Sequence, residues 1–448
     1  MNFFKANKHL RKAILGIPFL MLNSEFCISQ TPTPAPKQTK SVLISGVVIH
    51  VGNGKVIDNG IIGFKDGKLA LVADATTIKM SAGAYDTSYA LPGAHAYPGF
   101  IAPNTTLGIN EVDAVRATND FSEVGGYNPH VRSLIAYNAD SKVTTTVRTN
   151  GVLFAQVTPR RGIIPGTSSV VNLDSWNWDD AVVKKDDGVH LSFPRVTFRA
   201  QFNIEGPDVP TTGNTKYEQE LNDLKKFFSD AKAYCSQLSV EEKNLRYEAM
   251  RGVFAGTQNL YVHADFVKDI IAAMNFVKQF EIKKAVLVGG NDSWKITKLI
   301  RQNNIPVMIT RVHSLPEADF DDTDQPYKLA YLLQKDSVQF CLQNAGDQEG
   351  QNARNIPFLA GTARAYGLTN EQAVASVSYN AARILGVDKN TGSIEEGKDA
   401  SFFISTGDAL DMATNNVILA FINGRRVMLT NTQMEQYKRY CNKYGIKP

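Results

Sequence analysis

Residues 97–108 read YPGFIAPNTTLG. Pro98-Gly99 marks a corner, and Phe100-Ile101 behind it are apolar on consecutive positions, as in a strand covered on both faces. The stretch then turns polar at Asn104-Thr105-Thr106, the end at which such a strand would present reactive side chains. Four more apolar runs follow the same pattern: GVLFAQV (151–157), KAVLVGG (284–290), IPVMIT (305–310) and SVQFCLQ (337–343). Between them lie stretches with apolar residues at three- and four-residue steps. DFVKDIIAAMNFVKQFE (265–281) is one, and NDSWKITKLIRQNN (291–304) is another, with Asp292 placed as its N-terminal cap. Short strands alternating with helices predict a parallel α/β array.

The flanks read differently. SVLISGVVIHVGNGKVIDNGIIGFKDGKLALVAD (41–74) alternates β-branched residues with turn signals at Gly52-Asn53-Gly54, Asp58-Asn59-Gly60 and Lys65-Asp66-Gly67. These predict a meander of short strands. Gly52-Asn53-Gly54 has neither the third glycine nor the Gly-Lys-Ser/Thr of a phosphate loop. GSIEEGKDASFFISTG (392–407) and VILAFINGRRVML (417–429) return to short strands. A small β-domain assembled from 41–96 and 392–433 is therefore expected around a barrel of 97–391, with a terminal helix at 434–448. The polar segment 200–257, with NTKYEQELNDLKKFFSDAKAY, reads as an exterior insertion or a lid.

The chain has 448 residues, 43% hydrophobic and 21% charged, enough for a large folded core. Its first 29 residues carry Lys5, Lys8, Arg11 and Lys12, then the apolar run Ala13–Leu22, then polar residues and the small Ser29. That order describes a secretory leader, and the run is shorter than the ~20 residues a bilayer span needs. Export to the periplasm or envelope of a Gram-negative-type bacterium is expected, with no membrane span in the mature chain. Residues 30–40 form a Pro/Thr linker. Cleavage takes four Lys/Arg and one Glu, so the formal charge falls from +4 to +1, which argues against a nucleic-acid partner. Cys27 leaves with the leader, and Cys235, Cys341 and Cys441 have no Cys-x-x-Cys spacing, so neither a disulfide scaffold nor a zinc–thiolate site is indicated. There is no Gly-x-Ser-x-Gly elbow, His-Glu-x-x-His or dinucleotide fingerprint.

In their order and combined length these segments resemble the amidohydrolase superfamily, in its imidazolonepropionase-like branch. The residues that carry the resemblance are Tyr97–Gly108, Asn352–Phe358, Tyr366-Gly367-Leu368, Asn380–Gly386 and Gly392–Ala400. The resemblance implies a (β/α)8 TIM barrel of amidohydrolase type, with its site at the C-terminal strand ends, plus a small composite β-sandwich. It also implies a divalent metal held by two histidines of strand 1, a strand-5 histidine and a strand-8 aspartate. The metal-bound water would be the nucleophile toward C–N bonds of cyclic amides and related small molecules.

Carried over position by position, Asn104 and Thr106 replace the strand-1 histidines, Gly289 or Gly290 stands at the strand-6 position and Asn344 at strand 8. His263 in YVHAD is the one ligand position that keeps an imidazole. No cofactor is expected, and zinc only with a rebuilt site. His263, His313, Asp347 and Arg160 are the pocket candidates. Imidazole serves as acid or base near neutral pH without metal, and the guanidinium of Arg160 or Arg161 suits a carboxylate or phosphate, with Asp174 as the competing local partner. Trp176 and Trp178 offer a stacking wall. Three functions stay open: a ligand-binding or subunit-partner relative without the family hydrolysis, an active C–N hydrolase with a rebuilt site, and an envelope structural protein. Partners would be a small molecule, further copies of the chain or a homologous active subunit.

Overall fold

The computed structural model describes residues 33–79, 81, 83–198, 212–237, 239–316, 321–346 and 348–447. The expected leader and Asp347 lie outside them. The strands are β1 (Val42–His50), β2 (Val56–Lys65), β3 (Lys68–Asp74), β4 (Thr87–Ala90), β5 (His95–Pro98), β6 (Phe100–Thr105), β7 (Val152–Val157), β8 (Gly166–Asn172) and β9 (Val182–Ser192). After them come the short pair β10 (Thr197–Phe198) and β11 (Thr212–Gly213), then β12 (Asn259–Ala264), β13 (Ala285–Gly289), β14 (Val307–Ile309) and β15 (Phe340–Leu342). The last three are β16 (Phe402–Ser405), β17 (Val417–Ile422) and β18 (Arg425–Arg426).

Both chain ends build one sheet in the order β18-β17-β16-β5-β1-β2-β3, with β4 on β1. Asp66 and Gly67 both have positive φ, 52° and 79°, the turn that matches the twist of the β2–β3 hairpin. Asp58-Asn59-Gly60, predicted as a turn, instead runs inside β2. A Cβ on Gly60 would stand 2.2 Å from Ile49 Cγ1, and β1 is irregular opposite it, so that glycine serves close strand approach.

The central sheet is a nearly closed eight-strand barrel in the order β15-β14-β13-β12-β9-β8-β7-β6. Seven of its strands run parallel, while β8 is antiparallel to both β7 and β9. The reason is the connection 158–165, which is too short for a parallel crossover of a dozen or more residues. The glycine- and hydroxyl-rich stretch VTPRRGIIPGTSSVVNL (157–173) holds this reversed strand. The helix Tyr217–Cys235, within the segment read as an insertion, buries Leu224, Phe228 and Ala231 in the barrel's own core. The Phe228 ring lies 4.8 Å from that of Phe276 on the helix Val267–Gln279. Asp292 caps a neighbour rather than its own turn: its Oδ2 accepts from Val267 N at 3.4 Å. Cys235, Cys341 and Cys441 are free thiols. Among the described residues no helix is long and apolar enough to cross a membrane.

At the opposite end of the barrel from the site, Asp174 ties three parts of the chain together. Its carboxylate pairs with Arg148 at 2.5 Å, the side chains being 2% and 4% exposed. It also accepts from Ala35 N at 3.0 Å, and its carbonyl accepts from Arg425 at 2.7 Å. Within the expected linker 30–40, Ala35 is thereby bonded to the barrel. Removing one partner of such a buried pair strands the other charge. Arg148→Ala is therefore expected to lower the unfolding free energy by about 3–5 kcal/mol, measured by urea denaturation.

Candidate functional site

The C-terminal ends of the parallel strands bring together polar side chains from six of the eight barrel strands and the turns after them. On β6, Asn104 adopts φ 50°, a left-handed conformation that asparagine tolerates better than most residues. Its backbone N–H donates to Gln156 Oε1 at 3.0 Å, and its side-chain amide donates to Gln343 Oε1. Asn104 and Thr106 are each 2% exposed, yet Asn104 Oδ1 and Thr106 Oγ1 have no hydrogen-bond partner. At the end of β13, Gly289 has φ 102°, and a Cβ there would meet Asp265 Oδ1 at 2.3 Å. That position must therefore lack a side chain.

Inside the barrel sits a carboxylate that sequence reasoning did not single out. Asp187, fully buried on β9, accepts from Tyr261 OH at 2.5 Å, Ser168 Oγ at 2.7 Å and Gln156 Nε2 at 2.9 Å. Ser168 Oγ also lies 3.0 Å from His190 Nε2, and His190 Nδ1 lies 2.9 Å from His263 Nε2. Gln156, Ser168 and His190 are fully buried; His263 is partly exposed. The row Asp187–Ser168–His190–His263 therefore runs from the barrel interior to its mouth.

The donor directions assign the protons. An ionised Asp187 only accepts, and at 2.7 Å it takes the single hydrogen of Ser168 in preference to the Gly188 carbonyl at 3.2 Å. His190 then donates from Nε2 to Ser168 and accepts at Nδ1 from His263 Nε2–H. The His263 Nδ1 lone pair is left over. Burial raises the Asp187 pKa. Burial first, then the charges of Arg160 and Arg195, hold His263 down to about 3. Burial, with His263 and Arg160 behind it, also holds His190 well below the usual imidazole value.

The residues proposed from sequence fall out as follows. His263 ends β12 within the network. Arg160 grips Glu349 through two bonds, Nε–Oε1 at 2.8 Å and Nη2–Oε2 at 3.0 Å, and donates to Asn104 O at 2.8 Å. Its carboxylate partner is thus Glu349, while Asp174 is held by Arg148. Arg161 lies over the Phe121 ring at 5.6 Å. His313 is exposed after β14 and bonds Thr362 Oγ1 at 2.7 Å, apart from this network. Asn344 donates to Asn352 O at 2.6 Å, so its neighbour Gln343 meets Asn104 at the seam where β15 comes round to β6. Trp176 is 64% exposed. Among the described residues, no group of three or more His, Cys, Asp or Glu is placed to share a metal. His190, Ser168 and Asp187 were missed because GTSSVVN and DDGVHLS carry no motif. The usable signal was a histidine alternating with Val189 and Leu191 on a buried strand.

Both imidazoles are held below their unfolded pKa of about 6.5, so the stability they contribute is present above that pH. It is lost as pH falls toward the folded values. Asp187, with a raised folded pKa, acts in the opposite sense. Acidification from pH 7 to 5 is therefore expected to cost wild type up to about 1.4 kcal/mol per pH unit more than His190→Gln. Urea unfolding of both proteins at each pH measures the difference.

Residues 239–427 match the Amidohydrolase family. The match includes β12–β18 and leaves β6–β9, with Asn104, Ser168, Asp187 and His190, outside it. No curated protein matches the chain. Among solved structures, an amidohydrolase from Thermotoga maritima MSB8 is 21% identical, with 86% of this chain and 99% of that one covered and a TM-score of 0.72. A Xaa-Pro dipeptidase with bound methionine in the active site is 12% identical, covering 86% of this chain and 99% of that one at TM-score 0.52. A. niger ochratoxinase is 14% identical, covering 86% and 95% at TM-score 0.51. At these identities the likeness is one of fold. The likeness to the Amidohydrolase family is thus to residues 239–427, and the barrel architecture is shared with a solved amidohydrolase.

Proposed function

We propose that this protein is an exported, ligand-binding relative of the amidohydrolases whose barrel mouth works without a catalytic metal. The observation that carries the reading is the 2.9 Å bond between His190 Nδ1 and His263 Nε2. It gives one nitrogen, Nε2, of the imidazole at the one retained ligand position an internal partner and leaves a single nitrogen to the mouth. The rest of the donor set does not fit a catalytic divalent ion, which takes several imidazole, thiolate or carboxylate ligands. Asn104, Thr106, Gln343 and Asn344 offer neutral amides and a hydroxyl, and Gly289 offers no side chain. Of the carboxylates at the mouth, Glu349 is held by Arg160 at 2.8 Å, and Asp265, just beyond His263, lies 3.8 Å from Arg195. Export is supported by the basic, apolar and small-residue order of positions 1–29.

A second reading, hydrolysis of C–N bonds by a rebuilt metal-free site, is favoured by the partial exposure of His263 and its unengaged Nδ1. One preparation separates the two. Protein purified without chelators is expected to contain far less than one zinc, iron or manganese per chain and to leave cyclic amides and acyl-amino acids intact. Metal near one per chain overturns the metal-free account. Hydrolysis without metal that disappears in His263→Ala establishes the second reading in place of the first.

A further inference from the structure

We infer that the barrel mouth recognises its ligand through an N–H or O–H group donated to Nδ1 of His263, in a ring tautomer set from inside the barrel by His190, Ser168 and Asp187. The ligand class is a small neutral or anionic molecule carrying at least one polar hydrogen. The inference rests on the metal-free reading above, since a metal would take the same lone pair.

Three observations lead there. The first is directional. Asp187 accepts three hydrogen bonds, and each step outward from it, at 2.7, 3.0 and 2.9 Å, leaves the next atom one role only. The chain of roles ends with a proton on His263 Nε2 and a bare Nδ1. Among the described residues nothing donates to that atom, and the ring is partly exposed. The second concerns the same end of β6. Asn104 Oδ1 and Thr106 Oγ1 are buried polar atoms without partners, on side chains 2% exposed. Asn104 belongs to the same layer, because Gln156 bonds its backbone N–H with one side-chain atom and Asp187 with the other. Two of these three unfilled sites are pure acceptors, so a ligand supplies hydrogens. The third is charge. Arg160 and Arg195 flank the mouth in ion pairs with Glu349 at 2.8 Å and Asp265 at 3.8 Å, so the carboxylates that would draw a cation there are already paired. His190, Ser168 and Asp187 thus act as positioning residues: they touch no ligand and decide which ring nitrogen of His263 accepts.

A ligand of equal shape without the hydrogen would leave the lone pair buried and unpaired, a loss of about 1–3 kcal/mol, which corresponds to roughly 5- to 150-fold weaker binding. The test is long-range 1H–15N spectroscopy of the full chain labelled in its histidines, with His263→Gln to assign the signals. At neutral pH His263 is expected to be protonated at Nε2 and bare at Nδ1. Asp187→Asn places a donor where the carboxylate accepted and is expected to reverse that tautomer. If this variant does not fold, Ser168→Ala breaks the row one step nearer the mouth and is expected to give a mixture of tautomers. Succinimide is expected to displace the Nδ1 signal, and N-methylsuccinimide, lacking the hydrogen, only at concentrations roughly 5- to 150-fold higher. A protonated Nδ1 in wild type, a tautomer indifferent to the variants, or an equal or absent response to the two imides overturns the inference. Metal content of the same sample keeps the two ideas apart: bound metal contradicts the metal-free reading, whereas a wrong tautomer in metal-free protein contradicts only this inference.

Discussion

The fully buried carboxylate of Asp187 organises the polar interior of the barrel. An ionised group removed from water costs several kcal/mol unless donors surround it, and here Tyr261, Gln156 and Ser168 supply them. Tyr261 is itself braced by Asn259 at 2.8 Å. A barrel of this kind is ordinarily filled by layers of branched apolar side chains. In this one, the strands that surround Asp187 give up that packing for hydrogen bonds, and the sheet stays closed because nearly every member of the network has a partner. Three atoms, Nδ1 of His263, Asn104 Oδ1 and Thr106 Oγ1, are left over, at the end where a ligand would arrive.

The same constraint links interior to mouth. Ser168 cannot both satisfy Asp187 and donate to His190, so the orientation of two imidazoles follows from one charge deeper in the barrel. Across the opening, Arg160 ties the loop after β7 to Glu349 on the short helix Glu349–Asn352 and to the backbone of Asn104. The mouth is thus framed by an ion pair on one side and by His263 on the other. Arg148, Asp174 and Arg425 do comparable work at the far end, holding Ala35 and the composite sheet to the barrel.

The fold was legible wherever burial dictated composition. The Pro98-Gly99 corner, the runs at 151–157, 284–290 and 305–310, and the helix at 265–281 were readable because strands covered on both faces are continuously apolar and outer helices are amphipathic. The β8–β9 hairpin was not. Its inward side chains are Ser168, Asp187 and His190, which read as loop chemistry until three strands enclose them. The site was less legible still, because its bonds join residues 22 and 73 positions apart in the chain. At strand 8 a one-residue choice between Gln343 and Asn344 reverses which side chain faces the interior. His263 could be named from the family resemblance, but its role depends on a neighbour, His190, that no motif marks.

The central claim is that His263 faces an imidazole rather than a metal ion. Crystals grown with excess zinc, measured at the zinc absorption edge, test it most directly. The account predicts no anomalous peak beside His263, with the His190 Nδ1–His263 Nε2 contact kept near 2.9 Å. A zinc ion bound to His263 with the two rings drawn apart would contradict it.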